Sequence, residues 1–100
     1  MGSFRFSFSV QVDDEDYFYQ HVIFEEVDGG LEIRCEAPDS DCVHLLHPES
    51  YEAFKASIGQ SDVGDVLDAV RRAVKRRKRR LIFEAVHDYA EVKFTWFSID

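Results

Sequence analysis

The sequence predicts an α+β domain in which an antiparallel β-sheet of about five strands carries two helices on one of its faces. Three observations lead to this class: alternating apolar and polar residues at the start, a glycine turn between two β-prone segments, and an apolar stripe at helical spacing further along. The chain has 100 residues and is 45% hydrophobic, which is enough to fill one core. We therefore expect a single domain over residues 1–100.

The first strand is predicted from strict alternation. Apolar side chains occupy every second position, at Phe4, Phe6, Phe8, Val10 and Val12. The residues between them are Arg5, Ser7, Ser9 and Gln11, so a strand here would bury one face and expose the other. Four adjacent carboxylates follow at residues 13–16, and because they repel one another they favour a solvated turn.

The second and third strands are predicted on either side of a tight turn. Residues 17–27 are rich in aromatic and β-branched side chains, and Asp28-Gly29-Gly30 supplies the positive-φ residues of a hairpin. A helix over residues 15–26 is the alternative, but the hairpin signal argues against it. In the third strand, over residues 31–37, the inward row is expected to be Leu31, Ile33, Cys35 and Ala37.

The helices are predicted after an optional short fourth strand at residues 42–46. Pro48 suits the first helical position, and Gly59 suits the helix end. Tyr51, Phe54 and Ile58 would line its buried face. A second helix is expected to start after Ser61 or Asp62, because apolar residues recur at steps of three and four: Val63, Val66, Leu67, Val70 and Val74.

The chain is predicted to close with a hairpin of two strands, at residues 81–86 and 91–99, around residues 87–89. The resulting order is β-β-β-(β)-α-α-β-β, with the strands antiparallel wherever the links between them are short. The second face of the sheet is expected to stay partly exposed. Some aromatic side chains would then be available for contacts: Phe18, Tyr19, Phe94, Trp96 and Phe97.

Charge is distributed unevenly along the chain. The formal net charge is −8, but residues 1–68 carry −13, residues 69–80 carry +8 and the remainder carries −3. A negative protein is soluble and is repelled at long range by nucleic acid and anionic membranes. The two oppositely charged segments are therefore the principal candidates for function.

The acidic half predicts a surface for a partner with a basic site. Rows of carboxylates can attract the Lys and Arg side chains that line a nucleic-acid channel, although scattered acids also serve simply to keep a protein soluble. The wider acidic set also contains Glu32, Glu36, Asp39 and Asp41. The residues predicted to bind the partner are Asp13, Asp14, Glu15, Asp16, Glu25, Glu26 and Asp28, with Tyr17 and Tyr19 as aromatic anchors.

The basic run at residues 71–80 supports an alternative. On one continuous helix its bases would form an outward stripe able to contact phosphates, with Arg72, Arg76 and Arg79 as the nucleic-acid-binding residues. The same run could instead be a solvated helix end that contacts the protein's own acids. Head-to-tail association between copies is a third use of opposite charges. The expected oligomeric state is a monomer or a homodimer.

Motifs for catalysis, metals and cofactors are missing from the sequence. Cys35, Cys42, His44 and His47 are the usual zinc-ligand types, but their spacing matches no paired zinc knuckle. No nucleophile lies in a glycine elbow, and no phosphate-binding or dinucleotide glycine motif is present. We therefore expect no enzyme activity, no cofactor and no metal. The cysteines would stay reduced in the cytoplasm, which is the expected location because neither a secretory signal nor a membrane span is apparent.

These observations together favour a small acidic binding protein without catalysis. The predicted function is inhibition or neutralisation of a nucleic-acid-processing protein complex by occupying a basic site on it. Phage inhibitors of host defence, anti-CRISPR proteins among them, and immunity proteins that neutralise nuclease toxins have this general profile of size, acidity and missing catalytic motifs. The expected partner is a larger protein or complex with a basic surface. Nucleic acid is the partner only in the alternative, and no membrane is involved.

Overall fold

A computed structural model describes residues 2–11, 17–37 and 40–97, and the side chains of residues 2–7, 21–37 and 40–95. Its strands are β1 (Ser3–Gln11), β2 (Tyr17–Val27), β3 (Gly30–Ala37), β4 (Ser40–Leu46) and β5 (Glu91–Phe97). They form one sheet in the order β1-β2-β3-β4-β5, and every neighbouring pair is antiparallel. The sheet confirms the predicted class and the predicted number of strands.

The helices lie between β4 and β5 in the sequence. A 3₁₀ turn at Pro48–Ser50 leads into α1 (Tyr51–Ser57), followed by α2 (Val66–Lys75) and α3 (Arg79–Tyr89). Pro48 occupies the predicted start, and Phe54 and Ile58 are fully buried. The helix α2 begins later than predicted, where Asp65 caps it by accepting a hydrogen bond from the Asp68 backbone N–H at 3.0 Å.

The predicted strand at residues 81–86 is wrong, because these residues belong to α3. Ile82, Ala85 and Val86 are the buried residues of this helix, and their spacing of three and one places them on one helical face. Such a short apolar run does not by itself separate a strand from a buried helix. Among the described residues the sheet still has five strands, because residues 40–46 form a full strand that pairs with both β3 and β5.

Two helices end with the same hydrogen-bonded motif, but only one of them has a glycine. The α1 end has Gly59 at φ 71°, and the α2 end has Arg77 at φ 63°. At the α2 end the backbone N–H groups of Arg77 and Lys78 donate to the carbonyls of Val74 and Ala73, both at 3.0 Å. A left-handed conformation costs an arginine about 1–2 kcal/mol, so arginine is seldom found there. The sequence at Arg77 therefore does not predict that the helix ends. The basic run is therefore divided between two helices, and the predicted continuous stripe on one helix is wrong.

The core lies between one face of the sheet and the three helices. Opposed residues of an antiparallel ladder share a face, and the buried rows follow the register: Phe6 opposite Val22, Phe24 opposite Ile33, and Leu31 opposite Leu46. The helices cover these rows with fully or almost fully buried side chains, notably Phe54, Ile58, Leu67, Val70, Ile82 and Val86. No helix covers the other face of the sheet within the described ranges.

Candidate functional site: an acidic sheet face and a basic helix junction

The uncovered face of the sheet, here called the open face, is defined by the strand registers. Alternation places every second residue of each strand on it. Its described members are Ser3, Arg5, Ser7, His21, Ile23, Glu25, Glu32, Arg34, Glu36, Asp41, Val43, Leu45, Glu91 and Phe94. The sequence could identify the outward residues of each strand, but which of them become neighbours depends on pairing.

Acids of the open face oppose one another directly. Glu25 lies opposite Glu32, and Glu36 lies opposite Asp41. Like charges in directly opposed positions destabilise a sheet. Arg34 stands between the two pairs along β3, and its Nη2 lies 3.9 Å from Glu32 Oε1; the Arg34 side chain is exposed and that of Glu32 is partly exposed. The four carboxylates and Arg34 together carry a formal charge of −3, and Arg5 adds a second base on the same face, in the cross-strand row of Arg34 and Ile23.

An apolar margin adjoins the acidic cluster at β4 and β5. Val43 lies opposite both Arg34 and Phe94, and it is only 3% exposed although it lies on the uncovered face. Phe94 is 54% exposed. An exposed aromatic ring beside charged groups is typical of the centre of a binding patch, where burial against a partner removes apolar surface from water.

The predicted partner-binding residues are placed differently from one another. Glu25 lies on the open face, whereas Glu26 faces the helices, where its Oε2 accepts a hydrogen bond from the Gly2 N–H at 3.4 Å. Asp28 is exposed in the β2–β3 turn. Asp13, Asp14, Glu15 and Asp16 lie outside the described residues, as do the side chains of Tyr17 and Tyr19. Glu32, Glu36 and Asp41 join Glu25 instead, and the alternation of β3 was the signal that could have selected Glu32 and Glu36.

Two of the predicted nucleic-acid-binding arginines are engaged within the protein. Arg72 donates from Nε to Gln60 Oε1 and from Nη2 to Asp62 Oδ1, and Arg76 Nη1 approaches the same Gln60 oxygen at 3.5 Å. Gln60 is fully buried, so these arginines satisfy a polar group that water cannot reach. The hydrogen bond from Arg72 is also the main reason why the pKa of Asp62 lies below its usual value.

Arg71 pairs with Asp68, and Lys78 is only partly exposed. The other four bases of the run form an exposed group at the α2–α3 connection, here called the basic junction: Lys75, Arg77, Arg79 and Arg80. Among the described residues none of the four has an ion-pair partner. Arg79 and Arg80 begin α3, where a helix dipole disfavours positive charge. Because the helices cover the core face, the junction and the acidic open face belong to different sides of the sheet.

A buried histidine lies at the edge of the core beside β5. His44 is 1% exposed, its Nε2 lies 3.3 Å from Cys42 Sγ, and its Nδ1 has no hydrogen-bond partner among the described residues. Its ring makes an edge contact with His87 of α3 at a centroid distance of 5.2 Å. Burial, and secondarily His87, lower the pKa of His44 below its usual 6.5. No three His, Cys, Asp or Glu side chains in the described part are arranged to hold a metal ion.

Acidification should destabilise the protein through His44. Since its folded-state pKa is lowered, the unfolded chain binds a proton as the pH falls below 6.5 while the folded protein does not, so this contribution to stability is lost on the acid side of 6.5. We expect the free energy of unfolding, measured in urea, to fall between about pH 7.5 and about pH 5.5 more steeply in the wild type than in His44→Gln. His47→Gln is the control, because that ring is exposed and pairs with Glu91 at 2.8 Å. Equal slopes for the wild type and His44→Gln would contradict this.

Comparison with protein families, with curated proteins and with solved structures finds no match to this chain. Function therefore has to be inferred from the two charged surfaces. In the described part, no helix has the length and apolar character needed to cross a membrane.

Proposed function

We propose that this domain is a non-catalytic inhibitor or neutralising protein that binds a basic site of a nucleic-acid-processing protein complex through its open face. The observation that carries the proposal is the direct opposition of Glu25 to Glu32 and of Glu36 to Asp41. An inhibitor of host defence of the anti-CRISPR kind, or an immunity protein of the nuclease-neutralising kind, would act in this way. The proposed location is the cytoplasm, where such complexes operate.

The opposed acids are unfavourable in the free protein and favourable in a complex. Opposed side chains on one sheet face are about 5 Å apart at Cβ, so the two carboxylates of each pair repel each other across the ladder. A Lys or Arg side chain placed between the two carboxylates would turn this repulsion into attraction. Such complementarity mainly raises the association rate and selects the partner. The exposed Phe94 beside the cluster would add apolar burial.

The spacing of the acids indicates what kind of basic site fits. Glu32 and Glu36 are four residues apart on β3, which is about 13 Å along a strand. Duplex DNA carries one phosphate charge per about 1.7 Å of its axis, or roughly eight over the same distance. Four carboxylates cannot replace so dense a row. The open face therefore fits a local group of Lys and Arg side chains on a protein better than it imitates a length of duplex.

The test begins with capture of the partner from a lysate of the native host, with and without nuclease treatment. Association rates of that partner are then measured for Glu32→Lys/Glu36→Lys and for the matched control Glu49→Lys/Glu84→Lys, which makes the same charge change at exposed helix-layer positions. We expect the open-face variant to associate about tenfold or more slowly at low salt, with the difference shrinking as salt rises. The control should stay close to the wild type.

Equal slowing of both double variants would show that only the net charge matters and would remove the open face from the mechanism. Asp14→Lys/Asp16→Lys, in the acidic turn predicted from the sequence, separates that turn from the open face. If this variant alone slows association, the acidic turn is the binding site instead.

A second candidate is nucleic-acid binding through the basic junction. It is favoured by Arg79 and Arg80, which are exposed at a helix N-terminus where they oppose the helix dipole. A gel shift with duplex and single-stranded DNA or RNA separates the candidates, since this one requires binding of free nucleic acid that weakens steeply with salt. Arg79→Glu/Arg80→Glu should abolish such a shift. The inhibitor should give no shift at all.

A further inference from the structure

Two cysteines face each other across the β3–β4 ladder. Cys35 of β3 lies directly opposite Cys42 of β4, and both are free thiols. Directly opposed residues in an antiparallel pair have Cα atoms about 4.5 or about 5.5 Å apart. A disulfide needs a Cα separation of about 4.4–6.8 Å, so either kind of opposed pair meets this requirement.

The two thiols have different surroundings. Cys42 is partly exposed, and its Sγ lies 3.3 Å from His44 Nε2 and 3.5 Å from Thr95 Oγ1. Cys35 is 6% exposed, and burial, together with Cys42, raises the pKa of its thiol to about 12. Thiolate character and access decide which cysteine is oxidised first. Cys42 has both an approach from solvent and an adjacent nitrogen that can accept its proton.

His44 is placed to accept that proton. Its ring is almost completely buried, and its other nitrogen, Nδ1, has no partner in the described part of the chain. Burial lowers the pKa of His44, so its imidazole is neutral, and Nε2 holds an accepted proton only until the leaving group takes it. A neutral imidazole held against a thiol is the arrangement that draws a proton from sulfur.

We infer that Cys42 is a peroxide-reactive thiol, with His44 as its proton acceptor, and that Cys35 resolves the oxidised form into a cross-strand disulfide. Cys42 sulfur attacks one oxygen of hydrogen peroxide as its proton passes to His44 Nε2, the O–O bond breaks, and the hydroxide that leaves takes this proton to form water. The product at Cys42 is a sulfenic acid. Cys35 sulfur then attacks Cys42 sulfur, the S–O bond breaks, and hydroxide leaves as a second water with the Cys35 thiol proton. One peroxide is reduced to two waters, and two thiols are oxidised to one disulfide.

The test treats the intact protein with hydrogen peroxide and follows its mass and its thiols. We expect one monomeric product, lighter by two hydrogens, that loses both thiols together and regains them with a reductant. Cys35→Ser should lose the Cys42 thiol at the wild-type rate but stop at a sulfenic acid that dimedone traps. Cys42→Ser should leave the Cys35 thiol unreacted, because it is buried.

His44→Gln tests the proton acceptor, since glutamine can accept a hydrogen bond but not a proton. Oxidation of Cys42 should slow about tenfold or more in this variant, as expected on losing a positioned base. His47→Gln, which changes an exposed histidine near the same strand, should react at the wild-type rate. A disulfide between two chains, independent loss of the two thiols, or equal rates in His44→Gln and the wild type would each overturn the inference. Far-ultraviolet circular dichroism confirms that each variant is folded before its rate is compared.

Discussion

Gly30→Ala should lower the free energy of unfolding by about 3 kcal/mol, and the melting temperature by about 15 °C. A Cβ at this position would lie 2.5 Å from the Leu46 carbonyl oxygen and 3.2 Å from Leu45 Cδ1. The first of these is a backbone atom of the neighbouring strand, so it cannot move aside without separating β3 from β4. The φ of Gly30, 155°, adds conformational strain for an L-residue. Chemical unfolding in urea measures the loss.

Two other glycines are the controls for this substitution. An alanine Cβ at Gly29 or Gly64 would meet no atom within 4 Å. Gly29 has φ 95°, so Gly29→Ala should cost only about 1 kcal/mol of backbone strain. Gly64 has no positive φ, and Gly64→Ala should be neutral or stabilise by about 0.5 kcal/mol. Equal losses at Gly29 and Gly30 would show that the contact with β4 is not the cause.

Arg72→Met should destabilise the fold by about 2 kcal/mol, the usual cost of leaving a buried polar group without its partner. The substitution retains the apolar stem but removes the donor to Gln60, whose side chain is fully buried. Arg76 keeps a hydrogen bond to the Gln60 oxygen, but at 3.5 Å it is too long and weak to replace the one that Arg72 makes. The Arg72 pair with Asp62 contributes little, because exposed ion pairs are weak.

A double-mutant cycle isolates this interaction. Gln60→Leu/Arg72→Met should be more stable than the sum of the two single changes predicts, with a coupling energy of about 1–2 kcal/mol measured by urea unfolding. Arg79→Met is the matched control and should stay within about 0.5 kcal/mol of the wild type. If Arg79→Met is as damaging as Arg72→Met, the arginine network does not support the fold. The result also bears on function, since loss of nucleic-acid binding in an Arg72 variant would not distinguish a contact from unfolding.

Local patterns were sufficient for the first half of the fold. Alternation predicted β1, the turn glycines predicted the β2–β3 hairpin, and Gly59 predicted the end of α1; all three are confirmed. In each case the deciding interactions lie within a few residues of one another. The same reasoning failed after residue 75, because the α2 helix ends at Arg77 without a glycine and because residues 81–86, apolar apart from Glu84, suit either a strand or a buried helix.

The candidate site was predicted only in outline. The acidic half was identified from the sequence, yet Glu25 and Glu26 were grouped together although neighbouring strand residues face opposite ways. The basic run was treated as one surface, whereas Arg72 and Arg76 are held by Gln60, which is 12 and 16 residues away respectively. No local sequence pattern predicts a hydrogen-bond partner at such a distance along the chain.

The sequence by itself determined the α+β class, the polarity of charge along the chain and the outward alternation of the first strands, because these depend on side-chain type and a spacing of a few residues. Only the tertiary structure decided that Glu25 opposes Glu32, that Glu36 opposes Asp41 and that Cys35 opposes Cys42. Register decides these pairs, since a slip of one residue would turn every side chain to the other face. Tertiary packing likewise decided that residues 79–89 form a helix. Their buried side chains pack into the core against β4, whereas a strand here would have extended the edge of the sheet.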